Sequence, residues 1–355
     1  MRNLGLDILR FVAVLLVLGH HAAPGDDANV FMIMWSRGGW VGVDLFFVLS
    51  GYLVSGLLFA EHRSTGEIRP GRFLLRRGFK IYPAFWVMLA ATVLVNGALG
   101  SPVSFRTVVK ELLFVQNYFG GAWRHTWSLA VEEHFYFALA AGAWLATKGR
   151  RQHPFASVPL LFAVIAAACL GMRVWLAWNT AAFNPRTELF PTHLRIDALF
   201  LGVLLAYLAQ YRGLLERLRP LPAWTLLMGG AVLLSPVFFV RLNLSAWMHT
   251  LGLTVFAAGS GLLLLAALRL NRSDTRVLRG FGRLGAASYS MYLWHWPVLF
   301  WGGLLWEKAI GPAHDTAFIL SFISASIAAG LLMHRCVEVP VLRLRDRLFP
   351  RLAKI

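Results

Sequence analysis

The chain is 355 residues long, 58% hydrophobic and only 14% charged, with a net charge of +17 and a positive mean hydropathy. No ordinary soluble domain has that composition, so the chain reads as an all-α polytopic membrane protein. The basic excess does not point to nucleic acid, because it recurs in every second connection and is explained by topology and anionic lipid headgroups.

Apolar stretches of near-spanning length lie at 8–22, 40–59, 83–98, 127–146, 158–178, 196–211, 224–240, 247–268, 289–305 and 316–337, which predicts about ten transmembrane helices. The fourth and ninth are short or polar enough for a tilt or a break. Basic residues crowd alternate connections: Arg63, Arg69, Arg72, Arg76, Arg77 and Lys80 after the second span, then Lys148, Arg150 and Arg151 after the fourth. Arg212, Arg217 and Arg219 follow the sixth, Arg269, Arg272, Arg276, Arg279 and Arg283 the eighth, and Arg343, Arg345, Arg347, Arg351 and Lys354 fill the tail. The positive-inside rule then places both termini in the cytoplasm. No linker, repeat or low-complexity segment divides the chain, so residues 1–355 read as one membrane domain. The basic start and apolar run are expected to be retained, since His21 stands where a small residue would precede a signal-peptide cut at Ala23. Cys169 and Cys336 lie far apart and imply neither a disulfide framework nor a metal site.

The first span carries RFVAVLLVLGHH at 10–21. A titratable side chain at membrane depth is costly and usually faces a cavity, a partner or a substrate path. Arg10 and His21 are separated by three full turns plus about 20° and by a rise of roughly 16 Å, whereas His20 lies about 80° from Arg10. His21 is thus the better candidate for a cavity shared with Arg10, against the plainer reading of an interfacial histidine. The second span contains GVDLFFVLSGYL at 42–53. There Asp44 is a carboxylate placed to fix an imidazole tautomer, and Ser50 and Gly51 form a patch that another helix can approach closely.

RFLLRRGFKIYPAFW at 72–86 puts Arg76, Arg77 and Lys80 at the mouth of the third span. Such a cluster suits a polyphosphate, although topology alone also places basic residues there. HTWSLAVEEHFY at 125–136 is the least ordinary segment, with Glu132 and Glu133 adjacent inside an apolar helix and His125 at its start. Adjacent positions cannot face the same way, so one glutamate enters the interior and the other finds a separate partner. The competing structural account is a buried ion pair with an arginine such as Arg173. Farther on, HLRIDALFLG supplies Arg195 and Asp197, SYSMYLWHWPVLFW supplies His295 among interfacial-type tryptophans, and VEVP puts Glu338 at the inner end of the last span.

Arg10 with ten residues before His21, DLFFVLSGYL, RRGFKIYP, WSLAVEEHFY, RIDALFLG and SYSMYLWHWPV occur in an order that resembles the acyltransferase 3 family of integral membrane proteins. The resemblance covers nearly the whole chain. It implies a multi-pass O-acyltransferase of the bacterial cytoplasmic (inner) membrane that moves an acyl group, most often acetyl from acetyl-CoA, to a hydroxyl of an exported or cell-surface glycan or glycolipid. Other members acylate Nod factors or macrolides. For this chain it implies donor binding by Arg10, Arg76 and Arg77 and catalytic roles for His21, Glu132 and, more loosely, Asp44, with Ser50 a weaker match to the family's pattern. Lys80 stands where the family usually has a third arginine, keeping the charge and losing the guanidinium fork. Either Glu132 or Asp44 would orient His21, which serves as general base or as acyl carrier. No metal is implied, the expected partners are acyl-CoA, the acceptor and membrane lipids, and the oligomeric state is open. The C-terminal hydrolase-like domain that some members carry is not expected here. A polar-lipid transporter is the reading from another class, because intramembrane His, Asp, Glu and Arg would serve it as well.

Overall fold

The computed structural model describes residues 3–22, 24–25, 28–149, 152–270, 275–313 and 315–350. Ala23, Arg150, Arg151, Arg272, Arg351 and Lys354, named above, lie outside the described residues. Each of the ten apolar stretches falls on a helix, and no strand occurs among the described residues. The ten longest helices are α1 (Leu4–His21), α2 (Gly42–Thr65), α3 (Pro70–Ala98), α4 (Trp127–Lys148) and α5 (Val158–Asn179). They continue as α6 (Ile196–Tyr211), α7 (Ala223–Phe239), α8 (Leu251–Arg269), α9 (Ser288–Ala309) and α10 (Thr316–Leu348).

Six runs are long and apolar enough to cross a membrane: α1, the stretch Val30–Thr65 that ends in α2, α3, α5, α8 and α10. α6 and α7 are apolar but shorter. α4 and α9 have 22 residues each and are interrupted by polar side chains, the glutamates of α4 and His295 of α9 among them.

α1 lies at the centre, packed on α2, α8, α9 and the amphipathic helix Arg276–Ala286. The most extensive pairing is α2 with α6, and glycine makes it possible. A Cβ on Gly51 would lie 1.9 Å from the Leu199 carbonyl oxygen, and one on Gly202 would lie 2.3 Å from that of Val48, so the two backbones touch where side chains are missing. This is the close approach expected of the Ser50 and Gly51 patch. α5 stands at the periphery, with Leu160, Val164, Trp175 and Trp178 exposed on an apolar outer face.

Two helices extend beyond their apolar windows. α3 starts at Pro70, thirteen residues before position 83, with proline in the first turn where its missing N–H has no bond to lose. Arg72, Arg76, Arg77 and Lys80 therefore stand on a helix and not in a loop. Arg76 and Arg77 point about 100° apart, and Lys80, at i+4 from one and i+3 from the other, can share a face with either. α10 passes through a five-residue π turn at His334–Glu338 and continues as the basic segment Val339–Leu348.

Candidate active site

Two cavities meet inside the bundle. The first, about 170 Å³, is lined by Arg10, Ser50, Arg77, Lys80, Glu132 and Tyr136 among others. Its polar wall is organised by one hydroxyl. Tyr136 Oη donates to Glu132 Oε2 at 2.8 Å, and it accepts from Arg77 Nη2 at 2.8 Å and from Ser50 Oγ at 2.6 Å. Arg77 also lies over the Tyr136 ring, 4.5 Å from its centroid. Glu133 points elsewhere and accepts from Tyr82 at 2.8 Å, so the adjacent glutamates do separate. Arg173 bonds Asp197 at 2.6 Å instead, which removes it as a partner for either.

The basic cluster divides as helical spacing requires. Arg77 turns to α4 and the cavity, whereas Arg76 bonds Asp346 at 3.0 Å and the Phe349 carbonyl and is absent from the cavity wall. Arg76 and Arg77, expected to act together on the donor, thus have different partners. Lys80 lines the cavity while pairing with Glu338. That carboxylate is set in the π turn, accepts from Ser290 at 2.9 Å and lies 2.9 Å from His334 Nδ1. Arg10 is bonded to Asp7 at 2.8 Å.

The second cavity, about 820 Å³, is lined by His20, His21, His125, Arg124, Arg195 and Trp127 among others. Arg10 and His21 thus line different cavities, not a common one. Both walls include Val43 and Tyr292, so the two spaces are separated by these side chains. Tyr292 is held by donating to the His125 carbonyl at 2.8 Å and by Ser128 Oγ at 2.6 Å.

Hydrogen-bond partners define which nitrogen of His21 is basic. Its Nδ1 lies 3.0 Å from the Val17 carbonyl oxygen, which can only accept, so the proton is on Nδ1. His295 Nδ1 likewise donates to the Tyr292 carbonyl at 2.5 Å, leaving His295 Nε2 bare to accept from His21 Nδ1 at 3.2 Å. His21 Nε2 keeps its lone pair. His20 Nδ1 donates to the Ser36 carbonyl at 2.6 Å, and His125 Nε2 to that of Leu293 at 3.2 Å. Among the described residues no group of His, Cys, Asp or Glu is arranged to hold a metal ion.

The expectation that a carboxylate orients His21 is corrected. Asp44 gives its carboxylate to Arg195 at 2.7 Å, because the α2 and α6 contact at Gly51 and Gly202 brings the residue preceding α6 onto that face. Glu132 belongs to Tyr136, in the other cavity. A backbone carbonyl and His295 take the carboxylate's place. Tyr136 and Tyr292 escaped the sequence reading, though Tyr136 stands at i+4 from Glu132, where a helical partner is expected. Arg37, Arg124 and Arg241, also in the wall of the second cavity, carried no signal beyond their charge.

A helical membrane protein with titratable groups facing two interior spaces defines the class. The family model described as an acyltransferase domain matches residues 3–335, and the chain belongs to the acyltransferase 3 family. It is similar to the O-acetyltransferase OatA of Staphylococcus aureus strain NCTC 8325 / PS 47, 26% identical over 375 aligned positions that cover 99% of this chain and 59% of the relative. OatA of strain COL matches equally, at 26% identity with the same coverage of 99% and 59%. The chain spans less than two thirds of the length of these relatives. No solved structure matches it.

Proposed function

We propose that this chain is a membrane O-acyltransferase that takes a short acyl group, acetyl above all, from cytoplasmic acyl-CoA and delivers it to a hydroxyl of an exported or cell-surface glycan or glycolipid. The observation that carries this reading is the pair of cavities sharing Val43 and Tyr292, one walled by Arg10, Arg77 and Lys80, the other by His21. All ten long helices cross the bacterial cytoplasmic membrane, with both termini and the cavity of Arg77 and Lys80 on the cytoplasmic side. The 26% identity to an O-acetyltransferase supports the chemistry.

The donor fits in part. Sites that enclose a drug-sized ligand measure roughly 300–1,000 Å³, and about 170 Å³ is too narrow for a whole nucleotide. The slender thioester arm enters, and the phosphates stay at the mouth near Arg77 and Lys80. His21 Nε2 removes the acceptor's hydroxyl proton as that oxygen attacks the thioester carbonyl carbon. The carbon–sulfur bond breaks, and the thiolate leaves and is protonated. General-base assistance of this kind contributes typically about 10²- to 10⁴-fold. Tyr136, Glu132 and Ser50 hold Arg77 toward the donor.

The test is release of free thiol from acetyl-CoA by purified protein in detergent, with cell-surface glycans of a deletion strain compared by mass spectrometry. Thiol release together with loss of an acetyl-sized mass is expected. Protein that leaves acetyl-CoA intact while carrying a lipid across vesicles would make it a transporter instead.

A further inference from the structure

The larger cavity is strongly basic. If the termini are cytoplasmic, membrane topology selects against arginine on the opposite face. Yet Arg37, Arg124, Arg195 and Arg241, from four separate segments of the chain, converge on the wall around His21. No Asp or Glu lines that wall among the described residues. Arg195 is the anchor: its side chain is 2% exposed, and one arm bonds Asp44, while its Nε and Nη1 have no hydrogen-bond partner. Buried guanidinium nitrogens without partners are costly, and the Phe47 and Trp127 rings, each 5.7 Å from the guanidinium carbon, offset that only in part, so Arg195 favours an anion nearby. Arg124 and Arg241 are exposed, and Trp127 and Phe190, stacked on each other, add aromatic surface to the same wall.

We propose that the acceptor presented to His21 carries an anionic group, a carboxylate or a phosphate ester, and that the arginines of the larger cavity bind it. This names the acceptor class for the acyl transfer proposed above and rests on that reading. Arg124 and Arg241 draw the anion in, and the aromatic wall takes the sugar face. Arg195 supplies fixed positive charge behind it, so that the accepting hydroxyl comes to His21 Nε2.

Matched probes that differ only in charge test this. Oligogalacturonate is compared with its methyl ester, and glucose 1-phosphate with methyl glucoside, by calorimetry on the detergent-purified full chain. At least one charged member is expected to bind about tenfold more tightly than its neutral counterpart at low salt, with the preference shrinking as salt rises. Which charged probe is preferred separates carboxylate from phosphate. Combining Arg124→Gln with Arg241→Gln should reduce the preference several-fold, whereas Arg186→Gln, exposed and outside the cavity wall, should leave it intact. Equal binding of both members of each pair, no binding of any probe, or a preference that survives the double variant would overturn the proposal. Thiol release from acetyl-CoA is measured on the same preparation: its absence with a retained charge preference removes acyl transfer and leaves the anion site standing. Its presence without any preference does the reverse.

Discussion

His295 Nε2 accepts from His21 Nδ1 across 3.2 Å, a contact between residues 274 positions apart in the chain. In hydrolases of the serine type a carboxylate occupies that place and supports an imidazolium. A neutral imidazole orients the ring and supplies no counter-charge.

Orientation without counter-charge has a distinct mutational signature. His295→Ala should lower kcat by about tenfold or more while leaving the KM for acyl-CoA nearly unchanged, since Arg77 and Lys80, proposed to hold the donor, lie in the other cavity. His295→Gln, whose amide oxygen can still accept from His21 Nδ1, should recover part of the loss. Steady-state kinetics on folded protein checks this, and an alanine variant as active as wild type would remove His295 from the site.

Arg76 and Arg77 are neighbours in sequence with different partners. A charge-assisted hydrogen bond is worth about 1.5–3 kcal/mol, so Arg77→Ala should raise the donor's KM by roughly tenfold to a hundredfold. Arg76→Ala should act instead on the attachment of the C-terminal end of α10, lowering thermal stability with little change in KM. Parallel kinetics and thermal unfolding separate the two, and identical phenotypes would refute the division.

Asp44 and Arg195 form a pair with side chains 1% and 2% exposed. Removing one partner of such a pair leaves a buried charge and costs about 3–5 kcal/mol, so Asp44→Ala should sharply reduce the yield of folded protein. Replacing both, with Asp44→Ala and Arg195→Met, should restore much of the melting temperature. Full stability of the single variant would show that the pair contributes nothing to the fold.

The short helix Phe105–Leu112, between α3 and α4, carries a pH dependence of its own. Glu111 accepts from the Ala122 N–H at 2.8 Å and from Thr126 at 3.1 Å, and burial pushes its carboxyl from 4.5 up to about 7. Below the lower value it is protonated folded or unfolded. Between the two the unfolded chain releases the proton and the folded chain keeps it, so stability falls as pH rises, by on the order of 3 kcal/mol in all, and levels off above about 7. Glu111→Gln should flatten that slope, which melting curves from about pH 5 to about pH 8 would register.

The helices were legible because lipid-facing runs must be continuous, and even the polar α4 and α9 kept enough apolar length to be found. The beginning of α3 was not, since RFLLRRGFK reads as a basic loop when hydropathy alone is followed. Nor were the long-range partners. Asp44 meeting Arg195 depends on how closely α2 and α6 approach at Gly51 and Gly202, and the sequence marks that these glycines are small without marking which helix they meet. Arg10 and His21 share a face of α1, as their spacing requires, but one face of a helix can pass through two chambers, and Tyr292 from α9 stands between them.

The π turn at His334–Glu338 holds one residue more than an α-helix needs there. Wound as ordinary α-helix, the same five residues would rotate everything beyond them by about 100°. Glu338 would swing away from Lys80, and Asp346 would lose Arg76. The wide turn therefore acts as a phase setting for the basic end of α10: the same residues coiled without it would keep their hydropathy, their charge and their number, and would present the wrong side of the last helix to α3.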